Sequence, residues 1–186
     1  MAKLNEGYGF GQIELNLVSF RQLDGKIVAQ CALDDTDFSE KKPAENGMIL
    51  AVDEAKGKIK LPTVAEGGVG SDDVYALNYS AEHVYGEREA GALRKFRLVP
   101  GESYPRLGIL SVGDKFTTNT VEGKEITNTD GKATVTEAVV GKYAGVGADG
   151  YITLVAAKPA SGLALKVVKV TTMPDGAPAL KFQVVA

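Results

Sequence analysis

Short β-favouring runs divided by glycine, proline and Asp-Gly pairs recur along the whole chain, and this punctuation constrains the fold more than any other feature. Turn signals lie roughly 10 residues apart, and the intervals are rich in residues that favour strands. Glycine makes up 22 of the 186 residues. That is about 12%, against a usual value near 7%. The pattern therefore predicts an all-β protein of about eleven or twelve short, mainly antiparallel strands, in one or two small barrel or sandwich lobes with almost no helix.

A hairpin is predicted at the carboxyl end of the sequence. The runs Leu163–Thr172 and Ala177–Val185 flank a Pro174-Asp175-Gly176 turn. Proline presets φ for such a turn, and glycine accepts the positive φ that a turn often requires.

A second hairpin is predicted near the amino end. Gln12–Phe20 alternates apolar and polar residues, Asp24-Gly25 supplies a turn, and Lys26–Ala32 returns as the second strand. Two later runs are also predicted as strands, namely Arg94–Val99 and Ala133–Val140, the latter because it is rich in β-branched residues.

The charge is unevenly distributed between the two halves of the chain. Residues 1–93 hold 9 Lys/Arg and 16 Asp/Glu, whereas residues 94–186 hold 12 and 8, which gives the net charge of −3. We therefore expect a flexible amino-terminal arm (1–12), an acidic amino-terminal β lobe (13–93) and a basic carboxyl-terminal barrel or sandwich lobe (94–186). Two interpretations of the uneven charge remain open. One is random scatter between two solvated surfaces, and the other is a molecule with complementary charged ends suited to head-to-tail packing.

The composition excludes several kinds of site. One cysteine and one histidine cannot form a disulfide or a Cys/His zinc site within the chain. A histidine-dependent nucleophile has only His83 to use, and His83 is expected at a surface or interface. Cys31 is expected to be a small core residue. We therefore expect no enzyme activity, no metal and no cofactor.

Nucleic-acid and membrane partners are also not expected. The lysines are dispersed, and no basic run with interleaved aromatic residues is present. No stretch approaches the length of apolar sequence that a membrane helix needs. The amino end shows no apolar stretch after a basic start, so we expect synthesis in a cytoplasm.

The most distinctive local motif is Gly7-Tyr8-Gly9-Phe10-Gly11. It is not a nucleotide-binding loop, because it leads into a strand instead of following one and opening a helix. A flexible arm and an arm ordered by a neighbouring chain remain open. Tyr8 and Phe10 could act as apolar anchors, so the five residues Gly7, Tyr8, Gly9, Phe10 and Gly11 are the candidate partner-binding residues.

Two weaker candidates concern an acidic loop and a group of tyrosines. The loop Asp34–Asp37 could offer oxygens to calcium, but it lacks the glycine and the terminal glutamate of a calcium loop, so a solvated loop is expected. Tyr75, Tyr79 and Tyr85 would suit a carbohydrate-binding face if they were exposed together, and otherwise pack along a strand and its flank.

Two stretches carry a resemblance to a known class of protein. Leu107–Asn119, which contains Gly-Asp-Lys-Phe-Thr-Thr-Asn, and Gly162–Val185 resemble virion proteins of tailed bacteriophages, particularly auxiliary head proteins that decorate or cement a capsid. The resemblance implies a non-enzymatic protein, without a cofactor, that binds and stabilises the outer capsid surface. It also implies synthesis in the host bacterial cytoplasm and many copies per virion.

The implied partners are the major capsid protein and copies of the chain itself, as a homo-oligomer such as a trimer or a ring. The alternatives are a tail-tube or neck structural subunit, and a carbohydrate-binding or host-adhesion β module.

Overall fold

The structure, a computed structural model, describes residues 1–14, 27–28, 31–64, 74–80, 92–102 and 104–186. The predicted all-β class is confirmed, because the regular secondary structure is nearly all strand, mostly antiparallel, with very little helix. The described residues contain one four-residue helix, α1 (Ala92–Lys95), and a 3₁₀ turn at Glu137–Val139.

The strands in the described ranges are short, at two to eight residues. In chain order they are β1 (Ala2–Lys3), β2 (Ile27–Val28), β3 (Ala32–Leu33), β4 (Ile49–Asp53), β5 (Lys58–Lys60), β6 (Tyr75–Asn78), β7 (Leu107–Ile109), β8 (Lys115–Thr118), β9 (Val121–Gly123), β10 (Thr127–Thr129), β11 (Lys132–Thr134), β12 (Tyr143–Val146), β13 (Ile152–Val155), β14 (Leu165–Thr172) and β15 (Pro178–Val184).

These strands form two main sheets and a small hairpin. The first sheet has six strands in the order β2-β7-β6-β4-β5-β3, and the second has seven in the order β1-β9-β13-β12-β14-β15-β8. The β10–β11 hairpin stands apart. None of these sheets closes on itself within the described residues, which agrees with sandwich-like lobes.

The predicted carboxyl-terminal hairpin is confirmed as β14–β15. The pairing runs from Leu165 opposite Val184 to Thr172 opposite Pro178, with a bulge between Val167 and Lys169. Gly176 takes the positive φ, +84°, that the turn needs. The pair is extended by β8, which pairs with β15, so the three strands form one unit, β14–β15–β8.

The main hydrophobic core lies between the two sheets. Phe116 and Phe182 are fully buried, with ring centroids 5.8 Å apart, and they belong to the same cluster as Ile49 and Leu77 of the first sheet. The neighbouring residues of β4 face the other way, because Leu50 belongs to a second cluster. The first sheet is therefore buried on both faces, and it packs one of them against the second sheet.

Two strands cross the expected lobe boundary at residues 93 and 94. β7 comes from the later part of the chain and lies between β2 and β6 of the first sheet, while β1 comes from the start of the chain and pairs with β9 in the second. Each sheet therefore contains strands from both sides of that boundary.

The expected flexible arm is corrected by the packing of the amino-terminal residues. Ala2 pairs with Gly123, Leu4 is completely buried in the main core, and Ile13 bridges to Thr118. Burial of the apolar Leu4 and backbone pairing with β9 and β8 hold residues 2–13 against the rest of the chain.

Two predicted strands are also corrected. In Arg94–Val99 the start belongs to α1, and Leu98 forms only an isolated bridge with Ala44. In Ala133–Val140 the strand ends at Thr134 and a 3₁₀ turn follows, because the pairing belongs to the tight β10–β11 hairpin. Most of the predicted hairpin at 12–32 lies outside the described residues.

Candidate interaction surfaces

The amino-terminal segment forms one edge strand of the second sheet, β1, and contacts the opposite edge strand, β8. Leu4 donates its backbone N–H to the carbonyl of Val121, which starts β9, and Glu14 donates to the carbonyl of Thr117 in β8. Residues 119–120 join β8 to β9, so these two strands are consecutive along the chain although they are five places apart in the sheet order. The segment thereby covers edge groups that would otherwise be open to pairing with another chain.

The five predicted partner-binding residues lie within this segment and contact their own chain. Tyr8 packs against a small cluster at the tip of the terminal hairpin, and Phe10 donates its N–H to the Arg94 carbonyl at 2.9 Å. Gly7 and Gly9 have φ values of +80° and +92°, and each approaches backbone of another segment closely. Whether these residues also bind a partner stays a prediction.

A polar cluster at Glu45 joins the segment to both sheets. The Glu45 carboxylate accepts hydrogen bonds from Asn5 Nδ2 at 3.1 Å, from the Tyr151 hydroxyl at 2.8 Å, and from the Gly11 N–H. Burial raises the pKa of Tyr151, and the Glu45 charge raises it further. Tyr151 therefore remains a neutral hydrogen-bond donor, and its bond to Glu45 ties the segment to both sheets.

The tip of the terminal hairpin is tied to the same region by Arg94. Its Nε lies 2.5 Å from Asp175 Oδ2, and its Nη2 donates to the Asp175 carbonyl at 3.0 Å. Gln12 Nε2 donates to the same carboxylate oxygen at 3.0 Å. Burial raises the pKa of Asp175, but hydrogen bonds from Arg94, the Ala177 N–H and Gln12 outweigh it, and the net pKa is lowered.

Replacing Asp175 with asparagine should destabilise the protein at neutral pH by about 1 kcal/mol, since a partly exposed, hydrogen-bonded ion pair is lost. Because the folded-state pKa is below the unfolded value, the stabilisation is present above about pH 4 and is lost as the pH falls through the folded pKa. Urea unfolding between pH 2 and 7 should show wild type and variant converging at low pH. Asp130→Asn, at an exposed position, is the control, and an unchanged gap across the range would contradict the assignment.

An open apolar groove of about 370 Å³ lies where the two sheets meet. Val74 and Val112 stand at the groove with 44% and 54% of their surfaces exposed. The remaining lining residues come from the β6–β7 side and from the terminal strands, and they are Tyr75, Ile109, Leu110, Ser111, Gly162, Leu163, Val184 and Ala186. Exposed valines around a concave apolar surface favour contact with another protein.

The other candidate residues from the sequence, where the structure describes them, contact residues of their own chain. Cys31 is half-buried against the second core cluster. In the acidic loop, Asp34 caps its own turn through Thr36, and Asp37 accepts the Leu61 N–H at 2.7 Å. Among the described residues, no group of three or more metal-ligating side chains is present.

The tyrosines do not form one exposed face in the described part of the chain. Tyr75 belongs to the main core, and Tyr79 packs against it half-buried. His83 and Tyr85 lie outside the described residues. Exposure of Tyr75 and Tyr79, which a carbohydrate-binding face requires, is therefore not observed.

The groove was missed by sequence reasoning because its parts are distant along the chain. Val74, Val112 and Leu163 each resemble ordinary strand or turn residues, and only the packing of the sheets brings them together. The one available signal was a valine directly before Gly113-Asp114, at the point where a strand gives way to a turn.

Comparison with protein-family models, curated proteins and solved structures finds no match to this chain. In the described ranges, no helix has the length and apolar character needed to span a membrane.

Proposed function

We propose that this protein is a non-enzymatic virion protein that binds and stabilises the outer capsid surface of a tailed bacteriophage. The observation that carries the proposal is that the two stretches that resemble phage virion proteins lie together at the apolar groove. Leu107–Asn119 and Gly162–Val185 contribute β7, β8, β14 and β15, and together they supply seven of the ten residues that line the apolar groove.

The groove has the character of a protein-binding surface. The centres of protein interfaces are apolar and depleted in charge, and the groove is lined mainly by valine, leucine, isoleucine and tyrosine, with one serine. Val74 and Val112 would be removed from water by a partner that fills it, which supplies a favourable hydrophobic contribution. The partner we propose is the major capsid protein.

The fold suits a protein that must persist on a particle. Most strand pairings in the described residues are antiparallel, and residues 13–14 bond to β8, an edge strand of the second sheet. Covering an edge strand in this way reduces its tendency to pair with another chain when many copies are concentrated on one surface.

The groove is tested by binding to purified heads of the encoding phage that lack this protein. Val112→Asp places a charge at the groove and should reduce the head-bound fraction at least about tenfold, since an uncompensated charge is costly in an apolar interface. Val140→Asp is the matched control, because Val140 is 43% exposed and lies outside the groove.

Cosedimentation over a range of protein concentrations measures both variants. Loss of binding by Val112→Asp alone supports the proposal. Failure of the wild-type protein to bind heads would contradict the function, whereas equal binding by both variants would contradict the groove.

A further inference from the structure

Four lysines share the outer face of the three-stranded unit β8–β15–β14. Side chains alternate along a strand, so the register decides which residues share a face. Phe116, Phe182 and Val167 are aligned and face the core. On the opposite side, Lys115 and Lys166 are each paired with Gln183, and Lys169 is opposite Lys181. These residues, Lys115, Lys166, Lys169 and Lys181, are called the lysine face.

The arrangement of the lysine face is unfavourable for the isolated protein. Lys169 and Lys181 are direct cross-strand neighbours, and like charges in that position destabilise a sheet. In the part of the chain that the structure describes, none of the four forms an ion pair with a carboxylate. Some lysines elsewhere do form ion pairs, as Lys3 does with Asp149 at 3.1 Å.

Apolar groups lie beside the four charges. The bulge in β14 leaves Val168 with 41% of its surface exposed, next to Lys169. Tyr143 is half-buried and pairs with Lys166 from the neighbouring strand. Aromatic and aliphatic contact area among positive charges is a combination found where proteins bind proteins.

We propose that the lysine face is a docking surface for an acidic protein partner, whose aspartate and glutamate side chains compensate the repulsion between Lys169 and Lys181. This inference rests on the proposed function, because the partner is the capsid protein proposed above. The inference adds that the surface of that partner is rich in carboxylates. A protein is favoured over a nucleic acid because the face carries no arginine and the whole chain has a net charge of −3.

The test uses a fluorescent peptide of glutamate residues and the full-length protein, followed by fluorescence anisotropy at low salt. The key variant is Lys169→Glu, which replaces the repulsion with an attraction between the introduced carboxylate and Lys181, so the fold should be retained and the melting temperature should rise. Lys158→Glu, at an exposed position outside the face, makes the same change in net charge.

The expected result is that wild type binds the peptide, that Lys169→Glu binds at least about fivefold more weakly, and that raising the salt weakens binding. Lys158→Glu should bind like wild type. Absence of wild-type binding, or equal loss in both variants, would overturn the proposal. The proposal would also be overturned if the protein bound single-stranded DNA more tightly than the peptide and Lys169→Glu abolished that binding, since the face would then be a nucleic-acid site. This experiment contains no phage heads, so its outcome is independent of the head-binding experiment that tests the proposed function.

Discussion

Replacing Phe182 with alanine is expected to lower the free energy of unfolding by about 3–5 kcal/mol. Phe182 is fully buried in the central strand of the β14–β15–β8 unit, and its ring lies 5.8 Å from that of Phe116. Truncation removes a large apolar surface and leaves a cavity between the two sheets, which rigid strands on either side cannot fill by moving together. The loss is therefore expected near the upper part of the range.

Chemical unfolding followed by far-ultraviolet circular dichroism measures this difference. Tyr104→Ala is the control, because Tyr104 is an aromatic residue with 65% of its surface exposed. Its replacement should change stability by less than about 0.5 kcal/mol. A Phe182→Ala variant within about 1 kcal/mol of wild type would show that the sheets do not share the core described here.

The second large effect is expected from Gly47→Ala. Gly47 has a φ of +83°, and a Cβ on it would overlap Thr118 Oγ1 and lie 2.8 Å from Thr120 Oγ1. Both threonines are held in place, since Thr118 donates to the Gln12 carbonyl at 2.6 Å and Thr120 to the Asn46 carbonyl at 2.5 Å. Alanine would have to push apart the loop of the first sheet and the β8–β9 connection of the second.

We expect Gly47→Ala to cost more than about 3 kcal/mol, from the left-handed backbone together with the steric overlap. Gly101→Ala separates the two contributions, because Gly101 has a φ of +82° and open space around its Cβ position. That control should cost only about 1–2 kcal/mol. Equal losses in the two variants, measured by the same unfolding experiment, would show that the junction between the sheets is not closely packed at Gly47.

The turn chemistry of the sequence predicted part of this fold correctly. Pro174-Asp175-Gly176 indicated the terminal hairpin, because few backbone conformations suit those residues and the flanking strands alternate clearly. Asp130-Gly131 was not used to predict a turn, although it forms one. Both residues have positive φ and join β10 to β11, yet the β-branched run after them led to a longer strand prediction than the structure has.

The amino-terminal segment could not be predicted from local pattern. Its glycines are typical of a flexible arm, but the contacts that fix it come from residues distant in the sequence, some more than a hundred positions away, such as Thr118 and Tyr151. Burial on both faces of β4 is equally non-local. Ile49 and Leu50 form one apolar run in the sequence, and only the packing of the sheet sends them into different cores.

The interaction surfaces depend on the same non-local pairing. Lys169 and Lys181 resemble ordinary exposed lysines of two strands until the bulge at Val167 sets the register that makes them direct neighbours. The aligned lysines, like the groove, therefore follow from the three-dimensional register and not from any motif.

The most direct test of the proposed function is the copy number of this protein in purified virions of the encoding phage, measured by quantitative mass spectrometry against the major capsid protein. A decoration protein is predicted to be present within a few-fold of the coat, since each bound copy occupies a repeated site on the capsid surface. A few dozen copies or fewer would contradict capsid decoration and favour a tail or neck position. Absence from the particle would contradict the virion assignment altogether.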